Sequence, residues 1–294
     1  MRAHRRWIKL SCSSKRLARN SVNTSSISLK ALAASGWKQR ELLYQMTKRD
    51  VLGRYRGSAL GVFWSLAHPI FMLIVYTFVF SVVFTARWPG SATDSRLGFA
   101  IVLFAGMIVF GIFSECIQRA SGLIVSQPNF VKKVVFPLEI MAWTTLGAAL
   151  FHAVISLGVL TLLIIVVQGG LPWTAILLPI VLLPLLCLTL GLTWFFSALG
   201  VYVRDINQML GVMLTALMFL SPIFYPTSAL PADVRWLSAV NPIAFSIEQT
   251  RAVLIFGSLP DWRSLAVYTA IAAIIMWLGF VWFQKTRRGF ADVL

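Results

Sequence analysis

The sequence predicts an all-α integral membrane protein with six transmembrane helices, and three observations support this prediction. Apolar residues make up 58% of the chain and charged residues only 12%, whereas about a quarter of a soluble domain is charged. The mean hydropathy is +0.80. The apolar residues fall in uncharged runs of about 20 residues, the length that crosses a hydrocarbon core as a helix. A very hydrophobic soluble fold is therefore disfavoured.

The N-terminal part precedes the first apolar run. Residues 1–36 are basic and Ser-rich and lack the apolar core of a signal peptide, which indicates a disordered cytoplasmic arm close to anionic lipid headgroups. Within residues 37–58, Trp37, Tyr44 and Val51 fall near one face at helical spacing. This spacing favours an amphipathic interfacial helix on the cytoplasmic surface, with a fully solvated helix as the alternative.

The apolar runs define a transmembrane domain over residues 59–286. Between the fifth and sixth runs, residues 229–256 mix Pro and Asn with apolar pieces that are too short to span, which predicts short re-entrant or periplasmic helices. Residues 287–294 are predicted to form a cytoplasmic tail. The predicted spans are residues 61–86, 97–117, 139–167, 173–203, 206–224 and 264–283.

The charge distribution predicts the orientation of the chain. Its net charge of +16 would suit a nucleic-acid partner, but the basic residues lie in the N-terminal quarter and in short segments between apolar runs. Cytoplasmic segments of membrane proteins are enriched in Lys and Arg. If both termini are cytoplasmic, most of the 26 Lys and Arg residues fall inside. We therefore predict this orientation and expect no nucleic-acid partner.

Motifs for catalysis and metal binding are absent from the sequence. There is no GxxxxGK[ST] phosphate-binding loop, HExxH or GxSxG motif, so the chain is not expected to hydrolyse ATP itself. Cys12, Cys116 and Cys187 form neither a CxxC pair nor a Cys/His cluster. The spans contain no ladder of ionisable residues, which disfavours an ion-coupled carrier. We predict a chain without catalytic residues, cofactor or metal, energised by a partner.

Five segments carry a pattern in a fixed order. In the first, Lys48 to Ser81, a basic RD-x3-RY-x4-LG-x2-W pattern leads into the first span. The later segments read VSQPNFVKKVVFPLE, ALGVYVRDI, LSPIFYP and VNPIAFSIEQTR. Together these residues resemble the ABC-2-type permeases that export polysaccharides, most closely the O-antigen exporters. Leu138 departs from the Arg that is common at its position in that family.

The resemblance covers roughly residues 37 to 290 and implies a permease subunit in the bacterial inner membrane. It implies a homodimer of this chain with two copies of a cytoplasmic ABC ATPase, to which ATP and Mg would bind. The implied cargo is a polysaccharide carried on a polyprenyl-pyrophosphate lipid. Capsule polysaccharide, teichoic acid, or a lipid or drug are alternative cargoes. A self-sufficient channel and a membrane-embedded transferase, which would need acidic or His catalysts at the membrane surface, are rival functions.

The loop after the second span is the first candidate site. This loop is basic and amphipathic, and the resemblance implies that it holds a coupling helix that docks on the ATPase. Pro128-Asn129 is expected to break the helix, and Lys132 and Lys133 to lie at the lipid headgroups. An ordinary positive-inside loop is the alternative. The candidate residues are Arg119, Ser126, Gln127, Pro128, Asn129, Lys132 and Lys133.

Arg54 and Arg56 are candidates for binding the lipid pyrophosphate. They lie where the interfacial helix meets the first span, and a pyrophosphate needs bidentate cationic donors at this depth. An equally weighted alternative is that both residues only orient the chain and contact phospholipid.

The segment from Ala229 to Phe256 is the candidate outer gate. We expect two short helices separated at Asn241-Pro242, because Pro lacks a backbone donor and Asn can cap the following helix. Glu248 and Arg251 have the spacing to pair on one helix face. A passive outer cap is the alternative.

Overall fold

The computed structural model describes residues 39–79, 96–133, 136–231, 233, 236 and 240–294. Helices joined by short turns make up these described ranges, which contain no strand. The predicted arm, residues 1–36, and the end of the first predicted span lie outside them. The helices are α1 (Arg40–Arg54), α2 (Trp64–Tyr76), α3 (Arg96–Ala120), α4 (Pro128–Lys133), α5 (Ile140–Gln168), α6 (Leu178–Tyr202), α7 (Ile206–Leu220), α8 (Pro242–Leu254), α9 (Trp262–Thr286) and α10 (Phe290–Val293).

Five helical segments are long and apolar enough to cross a membrane, which confirms the prediction of an all-α, multi-pass membrane protein. They include every predicted span except the fifth, residues 206–224. They are Gly61–Val79, Leu97–Ala120, Ile140–Gln168, Trp173–Tyr202 and Trp262–Val293.

The helix in the fifth predicted span is shorter than expected. α7 has 15 residues and is therefore about 22 Å long, whereas a hydrocarbon core is about 30 Å thick. The helix ends because Ser221 adopts an extended backbone (φ −88°, ψ 146°) directly before Pro222, and the residue before a proline avoids the helical conformation.

α1, the helix predicted to lie at the membrane interface, ends before the predicted boundary at residue 58. α1 ends at Arg54, and the turn that follows contains Gly57 with a φ of +87°, a conformation that glycine adopts without steric cost.

At the other end of the domain, α9 begins earlier than predicted. The Asp261 side chain accepts hydrogen bonds from the backbone N–H groups of Arg263 and Ser264, which satisfies donors of the first helical turn.

The core lies around α3 and α6. α3 is the most buried of the five candidate spans, and α6 packs most extensively against α9. This pair approaches closely because Gly191 and Gly279 face each other. A Cβ atom at Gly191 would lie 2.5 Å from Met276 Cα, and one at Gly279 would collide with the Gly191 carbonyl oxygen. Trp194, fully buried beside this contact, packs against Phe280 with ring centroids 5.1 Å apart.

Three of the segments predicted to be cytoplasmic meet at one end of the helices. After α3, Ser121 Oγ donates to Asn207 Oδ1 in the segment that opens α7, over 3.1 Å. The hydroxyl of Tyr202 at the end of α6 donates to the Thr286 carbonyl oxygen at the end of α9, over 3.0 Å. At the opposite end, Thr174 donates to the Val253 carbonyl oxygen of α8. These three segments, all predicted to lie inside, thus share one end of the described part of the chain.

A Gly279→Val substitution is expected to destabilise the chain, because its added carbons would separate α6 from α9. Overpacking of this kind costs about 1–3 kcal/mol. The unfolding temperature in detergent and the monodisperse fraction on size exclusion should both fall. Gly158→Val is the matched control, since a Cβ at Gly158 meets no atom within 4 Å. Equal behaviour of the two variants would contradict the close α6–α9 contact.

Candidate functional site

A cavity opens at the end where these segments meet. Its volume is about 730 Å³, and it lies between α1, the turn after α3 and the start of α7. Hydroxyl and amide side chains contribute to its walls, including Thr144, Thr145 and Asn207. Asp50 is the acidic residue of the lining, against four arginines, so the cavity is strongly cationic. The four arginines are Arg49, Arg54, Arg119 and Arg204.

Arg119 attaches α1 to α3. Its Nη2 donates to both carboxylate oxygens of Asp50, over 2.7 and 2.8 Å. Its buried Nη1 lies 3.8 Å from Glu115 Oε1, beyond hydrogen-bond distance. Arg119 was expected within the coupling loop, and this placement is wrong. The residue belongs to the last turn of α3 and points to α1 because Asp50 offers an ionised acceptor there.

Arg54 makes a second connection between α1 and the spans. Its Nη2 donates to Glu115 Oε1 over 2.6 Å. His152 of α5 lies beside the pair, with Nδ1 3.1 Å from Glu115 Oε2 and Nε2 3.1 Å from the Tyr55 hydroxyl. The Glu115 carboxylate thus has Arg54 on one oxygen and the His152 ring on the other, while the far ring nitrogen of His152 lies within hydrogen-bond distance of the Tyr55 hydroxyl. Four side chains thus join α1, α3 and α5.

Tyr55 is held in its donor form. Burial raises the pKa of its phenol above the ordinary value, an effect that the Arg54 charge opposes and the Glu115 charge reinforces. The hydroxyl therefore stays protonated at neutral pH and can donate to His152.

The other two arginines of the cavity, Arg49 and Arg204, differ from Arg54 and Arg119 in their contacts. Arg49 and Arg204 are exposed, and within the described residues neither makes a hydrogen bond or an ion pair. The sequence analysis did not identify either residue as a site residue, although both lie in segments that carry the family resemblance. Arg49 lies in the RD pair and Arg204 in VRDI. Arg54 reaches the cavity as a lining residue, whereas the exposed Arg56 is outside the lining.

The loop after α3 contains a short helix whose start differs from the prediction. Pro128 is the first residue of α4, a position where its missing N–H removes no helical bond, so Pro128-Asn129 opens a helix instead of breaking one. Ser126 and Gln127 line the cavity. The side chains of Lys132 and Lys133 lie outside the described residues.

The N-terminus of α8 confirms the predicted cap. Asn241 Oδ1 accepts from the backbone N–H groups of Ile243 and Ala244, over 3.0 and 3.4 Å, and Pro242 is the first helical residue. Asn241 Nδ2 also donates to Ser221 Oγ over 2.9 Å, which connects α8 to the point where α7 ends. The first helix of the predicted pair lies largely outside the described residues.

Arg251 of α8 has partners other than the expected one. It is only 3% exposed and donates to three carbonyl oxygens, of Val102 over 2.9 Å, Pro222 over 2.6 Å and Ile223 over 2.9 Å. Glu248 instead accepts from the Thr227 hydroxyl. Arg251 thus donates to carbonyls that the broken backbone after α7 leaves in need of donors, in addition to lying within the electrostatic reach of Glu248.

Comparison with known proteins identifies the family to which this chain belongs. A family profile described as ABC-2 type transporter matches residues 41–255. The chain belongs to the ABC-2 type transporter family. The matched region begins within α1 and includes the cavity and α8.

Relatives of this ABC-2 transporter chain match over nearly their whole length. It is 27% identical over 258 residues to the O-antigen export system permease protein RfbA of Myxococcus xanthus, covering 87% of this chain and 96% of the relative. An RfbA of Klebsiella pneumoniae is 24% identical, covering 86% and 95%. The polysialic acid transport protein KpsM of Escherichia coli is 24% identical, covering 87% and 98%.

Glu115→Gln is expected to lower the free energy of unfolding by about 1–2 kcal/mol, because Arg54 and His152 lose an ionised acceptor. Thermal unfolding of the purified chain in detergent measures the change. Glu41→Gln is the control, since Glu41 is an exposed carboxylate on α1, and its effect should stay within about 0.5 kcal/mol. Equal shifts for both variants would show that the Arg54–Glu115–His152 connection contributes nothing.

Proposed function

We propose that this chain is the transmembrane subunit of an ATP-driven exporter of a polysaccharide linked to polyprenyl pyrophosphate. The observation that carries the proposal is the cationic cavity at the membrane end shared by the predicted cytoplasmic segments. The relatives named for O-antigen export and polysialic acid transport support the cargo class. O-antigen is the favoured cargo, with capsule polysaccharide as the alternative that the KpsM similarity supports.

The pyrophosphate of the lipid carrier is the proposed ligand of the cavity. Arg49 and Arg204 have no ion-pair partner among the described residues, and guanidinium groups bind phosphate oxygens in a bidentate manner. Arg54 and Arg119 add positive charge while they hold α1 in place. A cavity of about 730 Å³ falls in the size range of ligand pockets, roughly 300–1,000 Å³. A cationic drug would be repelled by this lining, which favours an anionic lipid cargo.

The proposed topology has six spans, with both termini on the cytoplasmic side of the bacterial inner membrane. α7 supplies the fifth span together with the extended residues that follow it, while α8 returns on the outer side as a candidate gate. An even number of crossings is consistent with the contacts that bring the ends of α3, α6 and α9 together. The excess of Lys and Arg in these segments supports their cytoplasmic placement.

A groove between α3 and α7 supports a homodimer with the path between its two copies. Its volume is about 480 Å³, and Ser114, Gln118 and Thr215 contribute polar groups to its walls. Polar side chains at membrane depth are unfavourable against lipid and line protein contacts or aqueous paths. A second copy placed over the groove would enclose it, and the glycan would then pass along polar walls.

The energy would come from two copies of a separate cytoplasmic ABC ATPase, which binds ATP and Mg. α4 and the loop that contains it are proposed to dock on this ATPase. Movement of the loop on ATP binding would shift α3 and α5, which the loop connects. The chain itself performs no covalent chemistry.

Co-purification tests the proposal as a whole. The tagged chain should retain an ABC ATPase encoded in the same organism, and ATP turnover by the reconstituted pair should depend on this chain. Deletion of the gene should remove a surface polysaccharide and leave its lipid-linked precursor inside the cell. An ATPase that neither binds the chain nor responds to it would refute the proposal, and conduction by the chain alone would favour a channel.

Arg49→Gln and Arg204→Gln are each expected to reduce export by about tenfold, since a charge-assisted hydrogen bond contributes about 1.5–3 kcal/mol. Surface polysaccharide per unit of membrane-inserted chain is the measured quantity. Arg56→Gln is the matched control, because Arg56 lies outside the cavity lining. If all three variants export like wild type at normal chain levels, the cavity does not hold the pyrophosphate.

A further inference from the structure

The residues that follow α9 are folded against the core. Arg287–Gly289 form a short 3-10 turn and lead into α10. Phe290 of α10 is fully buried, with its ring centroid 5.7 Å from that of Phe283 and 6.1 Å from that of Tyr202. This burial anchors residues 287–294, which the sequence indicated only as a cytoplasmic tail, to the ends of α6 and α9.

Arg287 extends this anchor to the loop between α3 and α5. Its Nη1 donates to Glu139 Oε2 over 2.8 Å, and its Nη2 donates to the Phe136 carbonyl oxygen over 2.7 Å. One planar guanidinium therefore fixes two points of the segment that enters α5. Hydrogen bonds of this charge-assisted, two-point kind restrain geometry as well as contribute energy.

Both partners of Arg287 make further contacts. The Phe136 ring stacks on that of Phe130 in α4, with centroids 4.5 Å apart and an interplanar angle of 18°. The Glu139 carbonyl oxygen accepts from Trp194 Nε1 of α6 over 3.1 Å. Contacts from one arginine thus reach α4 through Phe136 and α6 through Glu139.

α4 needs such support, because it has only six residues and an isolated helix of that length is unstable in water. Its position therefore depends on tertiary contacts, among them the Phe130–Phe136 stack and the contact with α10. A force applied to an unsupported α4 would unfold or shift the loop without moving the spans.

We infer that Arg287 is a positioning residue that holds the α4 loop against the ends of α6 and α9, so that displacement of α4 moves the spans with it. The inference rests on the proposed function, in which an ATPase displaces this loop. In the absence of the Arg287 contacts, ATP hydrolysis and export become uncoupled.

The test compares Arg287→Gln with Arg288→Gln in the complex with the ATPase. Arg288 is the adjacent, exposed arginine and serves as the matched control. The readout is the amount of polysaccharide exported per ATP hydrolysed. Arg287→Gln is expected to lower this ratio about tenfold while ATP hydrolysis continues, and Arg288→Gln should leave it unchanged. A purely structural role would lower the amount of complex but not the ratio, and would overturn the inference.

A charge reversal provides the second arm. Arg287→Glu and Glu139→Arg should each lower the ratio. The double variant should recover part of it, because the ion pair is restored with exchanged signs while a carboxylate at position 287 cannot donate to the Phe136 carbonyl oxygen. If the single variants fail to accumulate, recovery in the double variant still supports the inference, and lack of recovery overturns it. A wild-type complex whose ATP turnover is independent of the chain would instead contradict the proposed function.

Discussion

The hydrocarbon core offers no hydrogen-bond partners, and the rest of the structure follows from this constraint. Every backbone N–H and C=O group at membrane depth must be satisfied within the chain, which makes helices the available solution for this sequence. Where a helix stops inside this region, partners have to be supplied. The break after α7 is such a place. There, Arg251 donates to the Pro222 and Ile223 carbonyl oxygens and Asn241 donates to Ser221.

The same constraint explains why the arginines bridge helices. Arg54 and Arg119 bind carboxylates across the α1–α3 contact, and Arg287 binds Glu139 between α9 and α5. A carboxylate or guanidinium near a membrane is most stable when it is paired and hydrogen-bonded. Each of these ion pairs therefore also fixes the relative position of two helices. Arg49 and Arg204, which have no such partners in the described part of the chain, are available to a ligand.

The cavity, the α4 loop and the α3–α7 groove form a consistent arrangement for an ABC-2 transporter. The cavity lies where α1 meets the turn after α3, so a bound anion would contact the same turn that leads to α4. The groove begins along α3 near Gln118, which lines both spaces. Under the proposed function, the lipid pyrophosphate would be held at the entrance of the glycan path while the ATPase acts on the adjoining loop.

The sequence by itself determined the features that depend on neighbours along the chain. Apolar runs located five of the six predicted spans, and Asn241-Pro242 located the start of α8, because helix formation and capping involve residues within one or two turns. Only the tertiary structure decided which charges meet. Asp50 and Arg119 are 69 positions apart, and Arg287 and Glu139 are 148 apart, so no local spacing could pair them. Arg251 was assigned to Glu248 by helical spacing, but distant carbonyls without donors became its partners, because burial made their satisfaction the stronger requirement.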